Sequence, residues 1–304
     1  MEENQVSITA LMAAFERGYH AEHDDPKIFN DFLAFQLLSH AERELFIQQF
    51  TKIAENRFPD KTFSSQANAL AFFIQNVTST PDMISRARFT EDNLEEAVKK
   101  QRVQQYVILG AGLDTFAFRR PDMVNQLRVF EVDHPATQAS KCQRIDELGW
   151  EKPLNLHFVP VDFTKENLKT ALNRSFFDSN ALTFFSWLGV TYYLSRDTVF
   201  ATLRTIANIV PTGSSIIFDY YDADAFIPEK VAPRMQGWKQ YTQRTGEPII
   251  TGFEPSKLAI DIASLGLCLH ENLDPSEIER RYFQGRSDDY HATDHTHYAW
   301  GVVE

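Results

Sequence analysis

Val107-Ile108-Leu109-Gly110-Ala111-Gly112-Leu113-Asp114-Thr115 is the stretch whose reading decides the fold. A short apolar run stops at a Gly-x-Gly turn, and a helix is expected to follow. Glycines there let the backbone approach a ligand at the carboxyl edge of a sheet, where open α/β folds bind. Working outward, similar runs recur downstream at 127–133, 156–162, 181–187 and 214–219, each rich in β-branched or aromatic residues. Helical patterns at 137–148, 165–172 and 196–209 separate them. This alternation predicts βαβ units and a mostly parallel sheet. Two more strands, near 267–271 and 297–303, would complete seven. Pro160 interrupts the third run and predicts a bulge or an edge position.

Upstream of residue 106 the chain reads as helical. Ile28–Phe35 and Ala41–Ile47 repeat apolar residues at three- and four-residue steps. Downstream of Asp219 the rhythm lapses, and prolines and glycines punctuate 222–254. The expected organisation is a helical N-terminal region or cap over 1–100 and an α/β domain over 101–304, with an inserted lid at about 222–254.

The chain has 304 residues and a net charge of −12. Such a chain repels polyanions, which argues against nucleic acid and anionic membranes as partners. Cys142 and Cys268 make no disulfide framework and lack metal-site spacing, so no metal is expected. The start, Met1-Glu2-Glu3-Asn4-Gln5, has neither the basic nor the apolar segment of a signal peptide, and a cytoplasmic protein is expected. The 25 phenylalanines must fill a core or line an apolar pocket.

The glycine turn carries the chemistry. A pyrophosphate at a helix N-terminus would be repelled by Asp114. S-adenosylmethionine carries a sulfonium and an ammonium but no phosphate, and an acidic turn suits it. The bland alternative is a structural turn with Asp114 capping the helix. Glu131 and Asp133 end the second strand about 20 residues past the glycines, where an acid can accept ribose hydroxyls. Asp162 and Phe163 end the third, placed for an adenine amino group and a purine face. Each acid could instead cap the next helix.

Gly110-Ala111-Gly112-Leu113-Asp114-Thr115 with Phe118-Arg119, then Phe130-Glu131-Val132-Asp133-His134-Pro135, resembles the leucine carboxyl methyltransferase family, whose bacterial branch includes O-methyltransferases of polyketide biosynthesis. Ser85-Arg86-Ala87-Arg88-Phe89 and Trp187-Leu188-Gly189-Val190-Thr191-Tyr192-Tyr193-Leu194 share the resemblance, which covers about residues 80–220. It implies a class I, Rossmann-like methyltransferase fold with S-adenosylmethionine as donor. It implies that Arg86 or Arg88 holds the donor's carboxylate, with spacing favouring Arg86, as a planar guanidinium does well. It places the donor's glycine turn on Gly110, Ala111 and Gly112, the ribose acid on Asp133 beside Glu131, and the adenine contact on Asp162 and Phe163. Leu188 departs from the family, which usually has a glutamate there; Ser186, Asp114 or Asp219 would compensate.

The expected activity is O-methyl transfer to a carboxylate or hydroxyl of a small molecule or peptide. A carboxylate with a pKa of about 4 needs no general base. A hydroxyl usually does, and Asp219, Tyr192 and Tyr193 are candidates, with Tyr220 and Tyr221 beside them. The alternatives are a donor-binding protein without catalysis, motivated by Leu188, and a nicotinamide-dependent oxidoreductase, opposed by Asp114 and Thr115. His291, His295 and His297 with Asp294 read as a polar loop entering the last strand.

Overall fold

The computed structural model describes residues 6–162 and 165–304. Four helices come first: α1 (Ile8–His23), α2 (His40–Arg57), α3 (Gln66–Asn76) and α4 (Thr80–Glu96). Ser7 caps α1 by accepting from the Ala10 N–H at 3.1 Å, and Ser39 with Glu42 forms a capping box on α2. The α/β part follows as β1 (Gln105–Leu109), α5 (Phe116–Arg119), α6 (Pro121–Val124), β2 (Arg128–Asp133), α7 (Pro135–Glu147), β3 (Leu156–Pro160), α8 (Leu168–Asn173), β4 (Thr183–Trp187), α9 (Arg196–Ile209) and β5 (Ser215–Tyr221). Then come α10 (Pro233–Arg244), α11 (Pro255–Ala263), β6 (Leu267–Leu273), α12 (Pro275–Ile278) and β7 (Thr296–Val303).

The sheet order is β3-β2-β1-β4-β5-β7-β6. The first five strands in that order pair in parallel, and β7 runs antiparallel to both β5 and β6. All seven expected strands are present. Pro160 ends β3, an edge strand, where its missing N–H costs no ladder bond. β1, β4 and β5 are buried along their whole length, as strands covered on both faces must be. Alternate residues divide between two cores. Val107, Phe130, Phe185 and Phe218 face α8 and α9, whereas Tyr106, Val129, Phe184 and Ile217 share one apolar cluster with the N-terminal helices. The phenylalanines are largely spent there: the Phe15 ring lies 5.3 Å from Phe46 and 5.6 Å from Phe50, and Phe50 lies 5.1 Å from Phe73.

Two local expectations fail. Ile28–Phe35 is not a helix; a short 3-10 turn at Ala34–Leu37 replaces it. The Ile28 and Phe29 N–H groups donate to Nε2 of buried His20, at 2.8 and 3.4 Å, and Asp31 binds Arg17 at 2.9 Å, so tertiary contacts with α1 set the path of this segment in place of helical bonds. The helix expected after the glycine turn is only α5, one turn long, before Pro121 opens α6. His295 and His297 lie on β7 or just before it and contact Asp222 at 2.9 and 3.5 Å, while His291 pairs with Glu279. Among the described residues no helix is long and apolar enough to cross a membrane.

Glu16 on α1 is fully buried, and only its Oε2 receives a hydrogen bond among the described residues, from Ser79 at 3.2 Å. Burial pushes its carboxyl from 4.5 up to about 8, against Ser79 and the nearby Arg234 and Arg86. The folded chain therefore keeps a proton that the unfolded chain releases near 4.5, so this group makes stability fall as pH rises between those values. Glu16→Gln should unfold at a higher denaturant concentration than wild type at about pH 9, with the difference closing by about pH 5. A difference independent of pH would show that Glu16 is ionised in the fold.

Candidate functional site

The parallel strands leave a crevice at their carboxyl ends where β1 lies between β2 and β4, the point at which strand order reverses. A cavity of about 710 Å³ occupies it. Gly110 and Gly112 form its floor with φ of +69° and +51°, a region glycine adopts freely. A Cβ on Gly110 would lie 2.3 Å from Val190 Cγ2, and one on Gly112 would lie 3.2 Å from Ala10 Cβ, so side chains would fill this cradle.

Asp133, at the end of β2, accepts from the Gly112 and His134 N–H groups and so ties the turn to the neighbouring strand. Its carboxylate has room for further donors, since each oxygen can accept more than one hydrogen bond. Burial raises its pKa, against those two N–H groups. Asp114 lines the cavity and accepts from the Phe116 N–H at 2.7 Å, one residue ahead of Thr115, the N-cap of α5. Asp162 lines the cavity beyond β3, with Lys165 3.4 Å away. Ala111 and Ser186 also line it, and the Ser186 hydroxyl is 2.8 Å from that of Tyr106. Phe163 lies outside the described residues.

Glu131 does not reach the cavity. It faces the same side of β2 as Asp133, but deeper, and is bonded to the buried Lys141 on α7. Arg88 is also misplaced: half-exposed, it pairs with Asp92 at 2.7 Å on the outer face of α4. Arg86 is the cavity arginine. It shares its face of α4 with Met83, Ala87, Thr90 and Glu91 at three- and four-residue steps, and Arg88 falls off that stripe. Arg86 donates to Asp219 at 2.6 Å and to the Tyr192 hydroxyl at 3.3 Å.

Asp219 is no free base. It is 1% exposed; Oδ2 takes Arg86, and Oδ1 takes the Gly189 N–H at 2.7 Å. It fixes the arginine and the β4 loop together. Tyr192 and Tyr193 line the wall, but burial pushes Tyr192 up to about 12 and Tyr193 well above the ordinary range, so neither is a phenolate at neutral pH. Tyr220 and Tyr221 lie outside the wall. Leu188 lines the cavity and leaves its part of the surface apolar.

The sequence reading missed the contribution of α1. Ser7, Thr9, Ala10, Ala13 and Arg17 all line the cavity. Ser7 N donates to Thr137 Oγ1 at 3.4 Å and Thr9 N to Glu247 Oε2 at 3.2 Å, so the start of α1 bridges two rims. Arg17 binds Asp31 and the Leu113 carbonyl, both at 2.9 Å. Glu91, facing inward, is held by Arg119 and Arg120. The helical stripe on α4 was a usable signal for Glu91; nothing local marks Glu247.

These residues suit an adenosyl sulfonium compound: a small-residue cradle, acids at the ends of β2 and β3, and a guanidinium across the crevice. Known proteins agree. The leucine carboxyl methyltransferase family profile matches residues 10–207. YktD of Bacillus subtilis, named as an S-adenosyl-L-methionine-dependent methyltransferase, is 35% identical over 312 residues, covering 99% of each chain. A Mycolicibacterium gilvum protein named likewise is 31% identical across 71% of this chain and 66% of its own. Among solved structures, a DUF574 family protein from Streptomyces avermitilis aligns with a TM-score of 0.59 at 11% identity, covering 96% of this chain and 97% of its own. A Thermobifida fusca protein named as a methyltransferase aligns at 0.56 and 13% identity, over 84% and 94%. Both support the class I methyltransferase fold. The chain belongs to the leucine carboxyl methyltransferase family, and so to the enzymes that use S-adenosylmethionine as methyl donor.

Proposed function

We propose that this methyltransferase acts on a hydroxyl of a small molecule, forming a methyl ether. The observation that carries the reading is the state of the cavity's basic groups. Among the described residues its lysines and arginines are Arg17, Arg86 and Lys165, and each faces a carboxylate, Asp31 at 2.9 Å, Asp219 at 2.6 Å and Asp162 at 3.4 Å, while His134 accepts the Ala136 N–H at 3.3 Å. The donor's own carboxylate draws on Arg86, which leaves little positive charge to hold a carboxylate acceptor. The start of α1 lines the cavity and bonds to Thr137 and Glu247 on two rims, which favours a small molecule over a polypeptide terminus. Family membership removes the oxidoreductase alternative.

Bound S-adenosylmethionine supplies an electrophilic methyl group on sulfonium. Asp133 would accept its ribose hydroxyls, Asp162 its adenine amino group and Arg86 its carboxylate. Gly110 and Gly112 allow close approach, and α1 with Leu188 and Val190 excludes water. Such positioning accounts for most of what the protein must do in an in-line displacement. With the donor bound, an acceptor oxygen displacing its sulfur would form the methyl ether, sulfur would keep the electron pair, and the hydroxyl proton would pass to solvent at the open side of the cavity, away from the shielded sulfonium.

The test is label transfer from tritiated S-adenosylmethionine into an extract of the source cells. Counts in the low-mass fraction that survive mild alkali are expected. Counts lost as methanol would mean a carboxylate acceptor, counts in the protein fraction a polypeptide, and none above a boiled control the non-catalytic alternative.

A further inference from the structure

We propose that the acceptor carries an ammonium group, read by Glu247, on an aromatic body held by Tyr193, whose ring Tyr192 backs. The inference rests on the methyltransferase reading and concerns the same cavity. Glu247 follows α10 and reaches the wall beside Tyr193 and Pro248. Its Oε2 accepts from the Thr9 N–H, and its other oxygen takes no hydrogen bond among the described residues. Glu91 is held by arginines, Asp162 lies near Lys165 and Asp133 holds two N–H groups. Asp114, like Glu247, accepts a single N–H without a paired lysine or arginine, but it sits in the glycine turn assigned to the donor, whereas Glu247 lies on the wall beside Tyr193. No lysine or arginine among the described residues pairs with Glu247.

Tyr193 suits a cation beside that carboxylate, with buried Tyr192 behind it. The Tyr192 and Tyr193 rings lie 4.7 Å apart at a steep angle, and Tyr192 stacks on Tyr221 at 4.3 Å. The negative face of the Tyr193 ring attracts a cation through its quadrupole, in addition to the Glu247 carboxylate. An acceptor carboxylate placed here would meet Glu247 with no counter-ion.

The test titrates the protein loaded with S-adenosylhomocysteine, by ligand-observed NMR, with three matched probes: tyramine, para-cresol and para-hydroxyphenylacetate. Tyramine should bind about tenfold more tightly than the acid, with para-cresol between them, as expected for one charge-assisted contact. Glu247→Gln should shrink the spread to about twofold, and Glu247→Lys should invert it. Equal binding, no binding by any probe, or a preference that survives in Glu247→Gln would overturn the proposal. So would a tenfold loss of S-adenosylhomocysteine affinity in Glu247→Gln, since Glu247 would then serve the donor's ammonium. If wild type fails to bind S-adenosylhomocysteine, the underlying donor assignment falls instead.

Discussion

Gly112→Asp should lose at least about 100-fold in affinity for S-adenosylhomocysteine, near 3 kcal/mol, by calorimetry. Three effects act together. The residue sits at φ +51°, where a side chain is strained; its Cβ would press Ala10 at 3.2 Å; and its carboxylate would lie against the Asp133 that the Gly112 N–H now satisfies. The first two distort the floor and the helix above it, and the third repels the acid assigned to the ribose. Gly149→Ala is the control. Gly149 also has a positive φ, +67°, but stands in open space beyond α7. Its variant should cost about 1 kcal/mol of stability and leave the affinity unchanged. Equal affinity in wild type and Gly112→Asp would remove the glycine turn from the donor site.

The second large effect is expected at Arg86. Its guanidinium and Asp219 are 7% and 1% exposed, and removing one partner leaves the other buried and uncompensated. Arg86→Met should destabilise the fold by about 3–5 kcal/mol and weaken S-adenosylhomocysteine binding. Adding Asp219→Asn should restore much of the stability, because the amide keeps its hydrogen bond to Gly189 without a charge. It should restore none of the affinity. A double variant that regains donor binding would show that Arg86 is structural only. Urea unfolding and calorimetry on wild type, Arg86→Met and the double variant separate the two roles.

The α/β framework was legible because its strands are short, continuous and buried on both faces, so composition alone marks them. The cavity acids Asp114, Asp133 and Asp162 follow from their places at strand ends. Helical periodicity could have separated Arg86 from Arg88, since only Arg86 shares a face with Met83, Ala87 and Thr90. Glu131 could not be told from Asp133 by position. Both point the same way from β2, and the difference is Lys141, on the following helix. Ile28–Phe35 misled because its periodicity is helical while contacts with His20 and Arg17 of α1 set its path. Asp219 stands near the carboxyl end of β5, as a catalytic acid would, yet two partners more than 25 residues away occupy its oxygens. The role of α1 and Glu247 depends on tertiary contacts that no local pattern encodes.

The most direct measurement is a crystal structure of this protein with S-adenosylhomocysteine. The ribose should lie against Asp133, the amino-acid carboxylate against Arg86, and the chain between them should cross Gly110 and Gly112 beneath α1. Density elsewhere on the molecule, or an empty crevice at saturating ligand, would contradict the assignment of this cavity to the methyl donor.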